Sequence, residues 1–178
     1  MVTPNLFLVF YGLIGSAMIA VIGIGQTMRG DDGVGIEAVR AWKKKYPITS
    51  RVENIKVELV ENPGVGLLPL LEGVDSAILV DAVQSGADPG TLHSLGEPDI
   101  AAFTQGTGSA HGFGAAEALA LGRTISLNKL PTKVVLIGIE IGQINIGESL
   151  SPEVVQALPA AADWIERRIN ELLDQTED

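Results

Sequence analysis

The chain is expected to adopt an α/β fold, a mostly parallel central sheet of about five strands with helices on both faces, of the phosphorylase/hydrolase-like sandwich type. Three observations predict it. Apolar runs of strand length alternate with longer stretches of helical periodicity along the whole chain. The runs are nearly uninterrupted in Val, Ile and Leu, as strands covered on both faces require. Strands separated by helices then imply parallel pairing, and such sheets gather their ligands at the carboxyl ends of the strands, where chain direction switches.

The first strand is read over Ile19 to Ile24, running into the glycine turn at Gly25. A helix comes next that Asp31 or Asp32 can N-cap. Gly35, Ala38, Val39, Trp42 and Tyr46 share one of its faces, Lys43 to Lys45 place positive charge at its C-terminal end, and Pro47 closes it. A second strand fits Ile55 to Val60, after which Asn62-Pro-Gly-Val-Gly66 turns into a short helix over Leu67 to Glu72. Ser76 to Asp81 reads as the most buried strand, with Asp81 at its end. Asp88-Pro-Gly90 forms a turn before a short strand near Thr91 to Leu95, and a helix is expected from about Phe113 to Leu121. Lys133 to Ile139 is the last strand. Ser151 and Pro152 mark a helix start, and Pro159 is expected to divide the C-terminal segment into two helices, with Ala161, Trp164, Ile165, Ile169 and Leu172 of the second facing inward.

A length of 178 residues suits one compact domain, assigned to 18–178. Residues 1–17 are expected to be an apolar extension outside the native domain, upstream of a natural start at Met18. The stretch from Leu6 to Gly25 carries no charge and reaches the length of a membrane span. Its second half reads better as a buried strand entering a glycine turn, so no membrane partner is expected and the cytoplasm is the expected compartment. A formal net charge of −10 repels phosphate backbones, and Lys43 to Lys45 is too small a basic cluster to offset it, so nucleic acid is not expected as a partner. The sequence contains no cysteine. Disulfides, thiolate metal sites and cysteine nucleophiles are thereby excluded, and any metal must sit on His, Asp or Glu.

Few residues are left to carry chemistry. Gly23-Ile-Gly25-Gln-Thr-Met-Arg-Gly30 lacks the third glycine of a dinucleotide loop, since Met28 stands there. Asp31 and Asp32 at a helix start have a plain capping role open to them, for which one carboxylate suffices. Asp81 at the end of a buried strand is harder to dismiss, because a charge leaving an apolar sheet needs a partner. His111 lies in the glycine-rich segment Gly108-Ser-Ala-His-Gly-Phe-Gly114 ahead of a helix, and His93 is the other histidine. Asp32, Asp81 and His111 each sit where a strand ends or a helix begins, so they can converge on one crevice as an oxygen, oxygen, nitrogen ligand set. Such a set leaves coordination positions open and suits nickel, zinc or manganese without singling one out. Ser109 lacks the flanking glycines of a nucleophile elbow, which disfavours serine catalysis.

With these residues located, the chain resembles the hydrogenase maturation protease family from about Met18 to Leu173. Five segments carry the likeness: Ile22 to Gly35, Asn62 to Gly66, Leu79 to Ala82 with Pro89 to Thr91, Ser109 to His111, and Gly138 to Glu140 leading to Leu150 to Val154. Their order and spacing together are specific. The resemblance implies an endopeptidase that removes a short C-terminal peptide from the large-subunit precursor of a nickel-iron hydrogenase after nickel insertion. It carries the family's metal-binding carboxylates onto Asp32 and Asp81 and its histidine onto His111. It also implies that nickel is contributed by the precursor, with zinc or cadmium able to occupy the site in vitro. Asp31 is the candidate for a supporting or general-base role. Gln26 departs from the asparagine usual in the family, which puts the fine geometry of that loop in question. The competing reading is a non-catalytic metal-binding accessory factor in metallocentre assembly; a dinucleotide oxidoreductase comes third.

Overall fold

The computed structural model describes residues 17–100, 114–125 and 129–175. Five strands, β1 (Ile19–Gly25), β2 (Ile55–Glu61), β3 (Ser76–Val83), β4 (Leu92–Gly96) and β5 (Lys133–Glu140), form one sheet in the order β2-β1-β3-β5-β4. All neighbours are parallel except β4, which runs antiparallel to β5 at the edge. The helices are α1 (Val34–Lys45), α2 (Leu67–Leu71), α3 (Ala115–Ile125) and α4 (Pro152–Asp174).

The apolar runs divide between the two faces with the strand period of two. Ile19, Val21, Ile78, Val80, Ile137 and Ile139 pack against Ala38, Val39 and Trp42 of α1 and Ala161, Ile165 and Ile169 of α4. Ala20, Ile22, Leu79 and Leu136 pack against Leu67 and Leu71 of α2 and Ala118 and Leu119 of α3. Helices therefore cover both faces, which is why the strands read as continuous apolar runs. Polar bonds pin α1 to α4: Trp42 Nε1 donates to Glu166 at 2.9 Å, and the Tyr46 hydroxyl to Asp163 at 2.5 Å.

Two expectations about elements are corrected. The segment after Ser151 is one helix, not two, with Pro159 inside it. Proline removes one main-chain bond, yet Pro159 is exposed, so the carbonyl it leaves unpaired can be met by water. The buried face from Val154 to Leu172 meanwhile runs unbroken across it. Strand β3 does not stop at Asp81. Its pairing with β1 ends at Gly23 opposite Val80, but pairing with β5 continues through Asp81, Ala82 and Val83.

No helix among the described residues is long and apolar enough to cross a membrane.

Candidate metal and active site

The sheet order reverses between β1 and β3: the chain leaves β1 toward β2 on one side and returns to β3 on the other. A crevice opens at such a point because the connections leave in opposite directions. Here the start of α1 enters it. Gly35 lies so close to both strands that a Cβ added there would stand 2.2 Å from the Val80 carbonyl oxygen and 2.3 Å from that of Ile24. Any side chain at this position would force the strands apart.

Between β1 and α1 the chain makes a 3-10 turn, Gly30–Gly33, that carries Asp31 and Asp32. Gly30 takes φ +60°, a left-handed conformation that favours glycine. Gly25 allows the turn to fold back, since a Cβ there would lie 2.3 Å from the Asp32 carbonyl oxygen. Gln26 accepts a hydrogen bond from Arg29 Nη1 at 3.1 Å, and its main-chain N–H donates to the Asp32 carbonyl at 3.2 Å. The longer amide thus braces the loop from within.

The two adjacent aspartates have different fates. Neither caps α1; the N-cap is Gly33, with no side-chain bond. Asp31 is fully buried and turns toward the segment after β5. Its Oδ1 accepts from Ser151 N at 2.6 Å, and its Oδ2 accepts from Gly142 N and Gln143 N, both at 3.1 Å, and from Ser151 Oγ at 2.9 Å. Ser151 is the N-cap of α4, but its hydroxyl serves this clamp instead of the helix. Four donors occupy the Asp31 carboxylate, so its role in this geometry is to lock two loops together.

Asp32, 3% exposed, sits on the β1 side of the switch point, and Asp81 lies on β3. The two are close enough for the charge of Asp32 to act on Asp81. Asp81 is pushed up to about 7, chiefly because it is largely withdrawn from water, though part of the side chain stays accessible; the Ala82 N–H, donating to its Oδ1 at 2.8 Å, opposes the shift and the Asp32 charge adds to it. A divalent cation beside these carboxylates would relieve that cost. The donor set therefore fits a borderline or hard divalent ion, with Asp32 and Asp81 as the residues that would hold it. Among the described residues no group of three or more His, Asp or Glu side chains forms a complete metal cluster.

The expected third ligand, His111, lies outside the described residues. It precedes α3 by four positions, and α3 packs on the sheet face shared by Leu79 and, by strand alternation, Asp81.

One acidic residue at this end of the sheet was missed as a candidate. Glu140 closes β5 and is 1% exposed. Its carboxylate accepts from Ser85 N at 2.7 Å, Ser85 Oγ at 2.7 Å and Gly86 N at 2.9 Å, and it lies 3.2 Å from His93 Nε2. It fastens the connection after β3 over the carboxyl end of β5. The signal was the one that singled out Asp81, a carboxylate closing a buried apolar run.

Comparison with known proteins points the same way. The sequence profile described as hydrogenase maturation protease matches residues 38–168, well over half of the chain. A hydrogenase expression/formation protein HupD of Thiocapsa roseopersicina is 28% identical over 147 residues, 82% of this chain; the chain spans 64% of that relative's length, less than two thirds. The hydrogenase 2 maturation protease of Escherichia coli is 28% identical over 156 residues, covering 87% of this chain and 88% of that protein. The solved hydrogenase maturating endopeptidase HybD of E. coli superimposes with a TM-score of 0.74 over 86% of this chain and 93% of that one, at 23% identity, a likeness of fold. By its matched profile over residues 38–168, the chain belongs to the hydrogenase maturation protease family.

Proposed function

We propose that this chain is an endopeptidase that removes the C-terminal peptide of a nickel-loaded nickel-iron hydrogenase large-subunit precursor. The observation that carries the reading is the placement of Asp32 and Asp81 beside the β1/β3 switch point, near enough for the charge of one to act on the other, at the place where an open α/β sheet binds its ligands. Membership of the family supports the reaction class.

Asp32, Asp81 and His111 are the proposed ligands of a divalent ion, which when bound supplies Lewis-acid polarisation and a positive charge for recognition. Nickel is proposed to arrive with the precursor, and zinc or cadmium to fill the site in vitro. Two carboxylates and one imidazole hold a divalent ion only moderately, so a precursor that presents its own metal docks with an advantage that an unloaded one lacks. Asp31 clamps the turn that carries Asp32 and so fixes where that carboxylate points. Asp81, largely withdrawn from water where β3 has parted from β1, is the group whose charge depends most on what binds beside it.

The test is direct. Purified protein incubated with nickel-loaded precursor should shorten it, as read by intact mass, and Asp32→Asn, Asp81→Asn and His111→Ala should each block the shortening while leaving the circular dichroism spectrum unchanged. Normal processing by all three variants would remove the site assignment, and metal-dependent binding of the precursor without any shortening would favour the accessory-factor reading.

A further inference from the structure

Two loops meet at Asp31, the neighbour of Asp32: the one from Gln26 to Gly33, which carries both aspartates, and the one from Gly142 to Leu150, and their tips carry large apolar side chains turned to solvent. Met28 is 69% exposed and Ile146 is 84% exposed. They are neighbours in space as well, because Gly147 N donates to the Met28 carbonyl at 2.8 Å. Scattered single apolar residues on a surface need no explanation, but an adjacent pair on two loops beside a candidate active site does.

The loops are held rigidly. Gly30 N donates to the Glu148 carbonyl at 3.1 Å and Asp31 N to the Gln143 carbonyl at 3.2 Å. The Asp31 carboxylate binds Gly142, Gln143 and Ser151 from below. Gly30 and Gly147 supply the positive φ angles, +60° and +82°, that let the two turns meet. A buried four-bond clamp and two left-handed glycines thus hold two exposed apolar tips in place, so that docking onto them would cost little ordering entropy.

The exposed charges at the tips are carboxylates. Glu148, on the same loop as Ile146, and Glu61, whose Oε1 accepts from Thr27 Oγ1 at 2.7 Å next to Met28, are both exposed carboxylates. Arg29 is the only basic residue of the two loops, and its guanidinium is half-buried, with Nη1 turned inward to Gln26.

We infer that Met28 and Ile146 form a preorganised docking rim that receives an apolar side chain of the protein substrate flanked by lysine or arginine, at a surface separate from the scissile peptide. The inference rests on the peptidase reading above and names how that site finds its protein. The rim contributes to binding and not to the bond-breaking step, so its loss raises KM and leaves kcat in place. Glu61 and Glu148 steer the basic flank, so association weakens with salt.

Cleavage kinetics on the nickel-loaded large-subunit precursor of the same organism's nickel-iron hydrogenase test it, with parent, Met28→Asn/Ile146→Asn and Glu61→Gln/Glu148→Gln compared at two salt concentrations. The apolar double variant should raise KM ten-fold or more with kcat within two-fold of the parent. The charge double variant should raise KM three-fold or more at low salt and lose most of that difference at high salt. All four positions are exposed, so the variants keep the fold; unchanged thermal midpoints check this. A parent that fails to shorten the precursor overturns the peptidase reading itself. A parent that cleaves, alongside an apolar double variant with unchanged KM, overturns the docking rim alone, as does a variant that loses kcat and not KM.

Discussion

Asp31→Asn should destabilise the protein far more than the same change one residue later. The amide of Asn has one oxygen and one NH2 group. With its oxygen in place of Oδ2 it still accepts from Gly142 N, Gln143 N and Ser151 Oγ, but its NH2 then faces the Ser151 N–H that Oδ1 received at 2.6 Å. One hydrogen bond to a charged group is lost, worth about 1.5–3 kcal/mol, and a buried donor is left unmet. The three bonds that remain lose their charge assistance and weaken further. A total of ~3 kcal/mol results, a large part of the roughly 5–15 kcal/mol that holds a domain of this kind. With an m-value of about 2 kcal/mol/M in urea, the midpoint should fall by about 1.5 M. Asp32→Asn should shift it much less, because it removes charge repulsion on Asp81 and leaves the clamp intact. Urea unfolding of parent and both variants by circular dichroism, with matched m-values, gives the answer. An Asp31→Asn midpoint within about 0.3 M of the parent would refute the clamp as a stabilising element.

Asp81 gives the protein a pH signature. Its folded value, about 7, lies above its ordinary 3.8, so its contribution to stability is fully present below pH 4 and is lost as pH rises through 7. In chelator-treated protein Asp81→Asn should therefore be more stable than the parent at pH 8 by about 1–2 kcal/mol, the full shift at ~1.4 kcal/mol per unit being reduced because water reaches part of the side chain; the difference should vanish near pH 4, and equal stabilities at pH 8 would contradict the assignment. Zinc or nickel at about a hundred times its dissociation constant should stabilise the parent by about 2.7 kcal/mol in thermal unfolding and leave Asp32→Asn unmoved; the same gain in both would place the ion elsewhere. Gly35→Ala drives a Cβ against two main-chain carbonyls and should lower stability by ~3 kcal/mol or more, visible as lost soluble yield and a lowered melting point. Pro159→Ala restores an interior helix bond on the exposed face of α4 and should raise stability by about 1 kcal/mol or more; a lower melting point would mean that the proline ring packs against something that matters.

Much of the architecture was legible because its signals are local. Strand runs bounded by glycine, proline and acidic residues gave every strand of the sheet to within a residue or two, and the 3.6-residue pattern gave the buried face of α1 and of α4 beyond Pro159. The family emerged from five short segments in the right order, and the profile match over 38–168 bears it out. Local patterns fail where a residue's fate depends on a distant segment. Asp31 and Asp32 are the same amino acid in the same turn, and each could have been ligand, cap or clamp. Only the loop 142–151, more than a hundred positions away, decides that Asp31 is consumed by four hydrogen bonds while Asp32 stays beside Asp81.

The sequence by itself determined the order of strands and helices, the exclusion of thiolate chemistry, and the short list of acidic residues from which a site could be built, since composition and periodicity depend on neighbours along the chain. The tertiary structure decided the strand order β2-β1-β3-β5-β4, the reversed direction of β4, the survival of α4 through Pro159, and the clamping of Glu140 and Asp31. Each of those is an energy shared between segments far apart in sequence, and it exists only once folding has brought them together.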